Sequence, residues 1–234
     1  MSNMFAARLI GALFIISTAS YLTASELISS LMNLPDFLAQ AYPHKNLLTL
    51  AALLEFVNSA AVVGIAITIF PIVKQLNERI ALAYISFRAI EAIMLLIGVV
   101  ALLSLINVSQ ALLDASAPNV EYFYFIADIL KAERYINFQL GMIPLALCGF
   151  ILCITFYQYR LIPRALSVLG LLGYLLLLLK VTSDFFAINL GGGFLYIPGA
   201  LFELLLPLWL FVKGFHLPAT SKNTREALSK FRNL

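Results

Sequence analysis

The chain has 234 residues, 62% of them apolar and 12% charged, where an ordinary soluble domain has about a quarter charged. That excludes a water-dissolved globular fold and makes lipid its main solvent. The net charge of +3 is modest and its basic residues flank apolar segments, so nucleic acid is not an expected partner. Two cysteines and two histidines supply neither a disulfide framework nor a thiolate or histidine metal cage, and no cofactor is expected.

A bilayer core takes about 20 apolar residues per helix, and the sequence divides into six such runs: 5–25, 47–72, 80–106, 135–158, 163–186 and 195–214. The predicted fold class is all-α, a polytopic six-transmembrane-helix bundle. It forms a single membrane domain over 1–218, followed by a basic tail, 219–234.

In the first run, Arg8 precedes an apolar stretch ending in Ser17, Thr18 and Ala19, a pattern shared with cleavable secretion signals; we read it as a retained first span. The connection after it, about 26–46, holds Pro35, Pro43 and His44, which reads as a solvated loop histidine. The second run contains Glu55 and the small residues Asn58, Ser59, Ala60, Ala61 and Gly64, which let helix backbones approach closely. Near the middle of the third run stands Phe87-Arg88-Ala89-Ile90-Glu91. Full charges at that depth are expensive and mark an interior rather than a lipid face.

The connection 107–134 contains Glu121-Tyr122-Phe123-Tyr124-Phe125, then Ile126, Ile129 and Leu130. Its aromatic density predicts a short amphipathic helix lying in the headgroup layer. The fourth run opens with Asn137 and Gln139 and carries Cys148 and Cys153, read as small buried hydrophobes. The fifth has Gly170 and Gly173, then Lys180 and Asp184, and the turn Gly191-Gly192-Gly193 leads to the sixth, which carries Glu203.

Charge separates along the chain. One set of connections holds Lys74 with Arg79, Arg160 with Arg164, Lys213, and the tail residues Lys222, Arg225, Lys230 and Arg232. The other holds Asp36, Asp114, Glu121, Asp128 and Glu133 against Lys45, Lys131 and Arg134. By the positive-inside rule the first set, with both termini, is cytoplasmic. The basic tail then reads as an orientation signal or an anionic-lipid contact.

With a rise of about 1.5 Å per residue, Glu55 and Glu203 lie about 12 Å inside the outer ends of their spans and Glu91 near the bilayer centre. Helical periodicity sets Arg88 about 60° from Glu91 and Lys180 about 40° from Asp184, so each base shares a face with an acid. Asn58 falls near Glu55 by the same rule, and Asn137 with Gln139 would extend a polar wall. The candidate ligand-binding or proton-linked residues are therefore Glu55 with Asn58, Arg88 with Glu91, Lys180 with Asp184, and Gln139 and Glu203. If their faces converge, four acids meet two bases, and a surplus carboxylate in low dielectric takes up a proton or attracts a cation.

The function expected first is binding or translocation of a small molecule or proton through an outward-facing polar pocket. The alternative is a non-catalytic membrane subunit or scaffold, whose charges fix helix packing or hold a membrane-protein partner or a second copy. A third is a carboxylate-based intramembrane enzyme, although no catalytic set stands out and Ser183 beside Asp184 lacks a histidine base.

Three segments carry a family resemblance: Phe87-Arg88-Ala89-Ile90-Glu91-Ala92, Leu161-Ile162-Pro163-Arg164-Ala165-Leu166-Ser167-Val168-Leu169-Gly170, and Pro198-Gly199-Ala200-Leu201-Phe202-Glu203. Over nearly the whole chain the sequence resembles the uncharacterised bacterial membrane family known as domain of unknown function 4386. The resemblance implies a six-span inner-membrane protein, and matches Arg88, Glu91 and Glu203 to residues that recur in the family's pattern. It carries over no catalytic or substrate residue.

Overall fold

The structure, a computed structural model, describes residues 3–114 and 120–216; the tail 219–234, with Lys222, Arg225, Lys230 and Arg232, lies outside the described residues. The helices are α1 Asn3–Met32, α2 Phe37–Ala41, α3 Lys45–Lys74, α4 Glu78–Asp114, α5 Val120–Tyr159, α6 Arg164–Phe185 and α7 Ile197–Val212, the last entered through a 3-10 turn, Gly193–Tyr196. Six of them, all except α2, are long and apolar enough to cross a membrane, α7 together with its leading turn. Among the described residues there is no strand.

The reversals between long helices follow from local chemistry. Asn77 ends the turn after α3, and its Oδ1 accepts the N–H groups of Arg79 at 3.0 Å and Ile80 at 3.2 Å. That satisfies two amides at the start of α4 that no helical carbonyl can reach. After α5 the chain turns at Arg160, with φ 55°, and Pro163 precedes the first residue of α6 with φ −53°. Proline's fixed φ and missing N–H suit a helix start. Both tight reversals lie at the end of the molecule bearing Lys74, Arg79, Arg160, Arg164 and Lys213, here the basic end; Asp36, Asp114 and Glu121 mark the opposite, acidic end.

The six long helices form a closed ring. Each packs on its neighbours in sequence, and α7 returns to α1. The α1–α7 closure is built at the basic end, where Arg8 Nε donates to the Phe211 carbonyl at 3.4 Å. There Gly11 faces Pro207 and Phe211, and Gly214 faces Met4 and Ala7. Between α6 and α7 the backbones nearly touch: a Cβ on Gly173 would lie 2.5 Å from the Cα of Gly199. The main apolar core also fills the basic half, with Ile10, Ile69, Phe156, Leu161, Ile162 and Leu206 fully buried.

The short interfacial helix expected within 107–134 does not stand apart as a separate element. Its aromatic residues are the opening turns of α5, a single helix of 40 residues, and α4 runs for 37. No glycine or proline occurs between Val120 and Leu140 to break the helix. At lengths of about 60 and 56 Å, α5 and α4 project well past a hydrocarbon core of about 30 Å.

Helix α2 caps this projection. Phe37 and Leu38 pack with Leu105 and Ala127, and Lys131 Nζ sits 3.9 Å from the centre of the Phe37 ring. Ser109 on α4 clips α2 in place, its hydroxyl donating to the Leu38 carbonyl and accepting from the Tyr42 N–H at 2.8 Å. Ser109→Ala strands both backbone groups, and we expect a loss of about 1–3 kcal/mol. Denaturant titration in mixed micelles measures it, and a change within error would show that α2 is held by its apolar contacts alone.

Candidate functional site

The most deeply placed polar group is an ion pair on one face of α4. Three residues apart, Arg88 and Glu91 meet through Arg88 Nη1, which donates to the two carboxylate oxygens at 2.8 and 3.2 Å. The residues are 4% and 2% exposed, so the pair works in low dielectric, where a bonded charge is stabilised strongly and a lone one is costly. The Arg88 guanidinium carbon lies 6.0 Å from the Tyr84 ring centre. Its Nε is buried without a hydrogen-bond partner among the described residues.

Glu203, on α7, lines the same interior space. Its Oε1 accepts from the Tyr174 hydroxyl at 3.2 Å. Gly149 on α5 makes that possible, because any Cβ there would fall 2.5 Å from the Tyr174 ring. No base pairs with Glu203 among the described residues.

Arg88, Glu91, Tyr174, Asn58 and Glu203 converge on a cavity of about 500 Å³ inside the ring, its remaining wall mostly apolar and including Phe14, Val62, Met142 and Leu177. That volume lies within the range of small-molecule sites. A second cavity of about 310 Å³ opens toward the acidic end, lined by Ser25, Glu55, Lys131, Arg134 and Tyr135. Tyr21, Asn58, Leu95 and Phe138 line both. The Tyr21 and Phe138 rings stack with centroids 5.9 Å apart and planes 8° from parallel. They therefore stand as a partition between an outer vestibule and an inner chamber. Asn58 beside them accepts from Ser17 Oγ at 2.6 Å.

At the vestibule, Arg134 grips Glu55 with both terminal nitrogens, Nη1 to Oε2 at 2.9 Å and Nη2 to Oε1, and Nη1 also reaches the Gly98 carbonyl at 3.1 Å. This fork joins α5 to α3 and α4 and is the strong, directional form of a carboxylate bond. A third group lies apart: Lys180 pairs with Asp184 along α6, and Gln139 Nε2 donates to Asp184 Oδ2 at 3.0 Å and to the Tyr135 hydroxyl at 3.1 Å. Gln139, Lys180 and Asp184 line neither cavity.

The eight sequence candidates thus occupy three places rather than one. Asn58, Arg88, Glu91 and Glu203 share the chamber, and Glu55 faces the vestibule. Asn137 does not extend a wall with Gln139, since its Nδ2 bonds back to the Glu133 carbonyl at 2.9 Å. Sequence reasoning missed Arg134, assigned there to a connection outside the membrane. Because α5 begins at Val120, Arg134 is helical and sits level with Glu55. The tally becomes four acids against three bases, and the acid left over is Glu203. The absence of glycine and proline from 120 to 140 was the signal that could have revealed this.

A closed ring of membrane-length helices with ion pairs on its inner faces defines a multi-pass integral membrane protein with a polar interior. A family model, Domain of unknown function (DUF4386), matches residues 9–214, from the first long helix through the last, and the chain belongs to that family. The chain matches no curated protein and no solved structure.

Proposed function

We propose that this membrane protein binds or translocates a small molecule or proton through the cavity inside its helix ring. The observation that carries the reading is Glu203, a carboxylate whose one hydrogen bond among the described residues comes from a tyrosine hydroxyl, in a chamber whose other full charges, Arg88 and Glu91, pair with one another. A carboxylate so placed is balanced by a proton or by a cation from outside the chain. The vestibule at Glu55 and Arg134 supplies a route toward it, interrupted by the Tyr21–Phe138 stack.

The separation of basic and acidic connections supports an orientation with the basic end and both termini cytoplasmic, in a bacterial inner membrane, so that the vestibule faces outward. On this reading residues 1–218 are one six-span domain and 219–234 a cytoplasmic tail. An introduced cysteine at Asn77, in the turn between α3 and α4, is then expected to resist an impermeant maleimide in intact cells and to react after lysis. Labelling of intact cells would reverse the orientation.

The second reading, a scaffold or subunit, draws on the Glu55–Arg134 fork, which locks helices together. The buried Arg88–Glu91 pair and the partly exposed Lys180–Asp184 pair each join residues of a single helix, and so do little for helix association. Glu203→Gln in proteoliposomes loaded with a pH-sensitive dye separates the readings. Glutamine keeps an acceptor for Tyr174, so folding should survive while proton-linked flux is lost. A wild type that moves neither protons nor solutes, with a variant differing from it only in stability, would favour the scaffold.

A further inference from the structure

Resting on the chamber reading above, we infer that the ligand is a lipophilic amine, a single ammonium on an apolar body, admitted sideways from the bilayer through a cleft between α1 and α7. The cleft follows from where those helices touch. Close contacts there, Arg8 and Gly11 with Pro207 and Phe211, and Met4 and Ala7 with Gly214, lie at the basic end. Farther along, Thr18 and Leu22 of α1 and Ala200 and Leu204 of α7 line the chamber. Leu22 is 59% and Leu204 55% exposed, and Ala200 is exposed as well. Residues that are both cavity wall and molecular surface mark an opening. Leu204 sits midway along α7, so the opening meets hydrocarbon rather than water.

The ligand class follows from the contents of the chamber. An apolar body gains little by leaving lipid for an equally apolar wall, so retention depends on the head group. Arg88 and Glu91 cancel, and Glu203 leaves the chamber one negative charge in excess. One ammonium restores neutrality, while an acid head would add a second negative charge in low dielectric. Tyr174 and Asn58 stand at the same wall as polar partners for the head group.

The chain carries its own reporter. Trp209, the single tryptophan, is six residues along α7 from Glu203, about 9 Å at the helical rise. Three probes are offered to the protein in nanodiscs of zwitterionic lipid: a dansylated alkylamine, its N-acetylated uncharged form, and the dansylated fatty acid of equal length. Energy transfer from Trp209 should saturate with the amine. Acetylation of the amine, or Glu203→Gln, should weaken it at least tenfold. Equal binding of the amine and its acetylated form, or preference for the acid, overturns the amine assignment while leaving a ligand-binding chamber. Saturable transfer from none of the three removes the chamber reading itself. Ala200→Phe, at the exposed lip, should slow association at least fivefold; an unchanged rate overturns the lateral route. The comparison of probes on the wild type requires no variant to fold.

Discussion

Arg88→Met is expected to destabilise the protein by about 3–5 kcal/mol, the cost of leaving a buried carboxylate without its partner. Glu91 is 2% exposed, and both bonds it receives in the ion pair come from the Arg88 guanidinium. The double variant Arg88→Met with Glu91→Leu removes both charges and fills similar volume, so it should regain most of the loss, since apolar replacement of a buried pair is often neutral or better. Reversible unfolding in mixed micelles gives all the values needed. A single variant within about 1 kcal/mol of wild type would mean that water or another group already solvates Glu91, and that the pair is not the structural floor of the chamber. The same experiment bears on function. If the double variant is stable yet binds nothing, Arg88 and Glu91 orient the ligand as well as shape its site.

Gly173→Leu should cost about 3 kcal/mol, the upper part of the range for overpacking, and should disable the chamber as well as weaken the fold. A Cβ at this position meets the Cα of Gly199 at 2.5 Å and its nitrogen at 2.6 Å. Backbone atoms cannot swing away as a flexible side chain can, so α7 must shift outward as a unit. Glu203 lies on that helix, four residues after Gly199, and would be carried off from Tyr174. Gly193→Ala is the control: nothing lies within 4 Å of its would-be Cβ, and a change below about 0.5 kcal/mol is expected. Unfolding midpoints compare the two variants, and thiol accessibility of a cysteine at Thr18 reports whether the cleft has widened. Equal stability of the two would show that α6 and α7 part at little cost.

Much of this architecture is local and therefore legible along the chain. Hydropathy alone marks six membrane-length segments, because each must satisfy its own backbone as a helix when lipid is the solvent. The pairing of Arg88 with Glu91 and of Lys180 with Asp184 also needs nothing beyond one helix, since a fixed turn per residue places positions three or four apart side by side. Membership of the family rests on residues read in sequence, with the match spanning 9–214.

Only the tertiary arrangement could decide the rest. Arg134 and Glu55 are 79 positions apart, and their meeting depends on how α5 packs against α3 and α4, for which helical periodicity contains no information. The distinction between chamber, vestibule and the separate Lys180 cluster has the same origin, as does the identity of the acid left without a base. The extension of α4 and α5 beyond the bilayer depends on the support each long helix gives the other and on the Ser109 clip to α2. By itself the sequence determined the six membrane-length helices and the ion pairs formed within one helix. Which charges meet was decided by the closure of the ring, because directions within a helix are set by its covalent geometry, and directions between helices by packing.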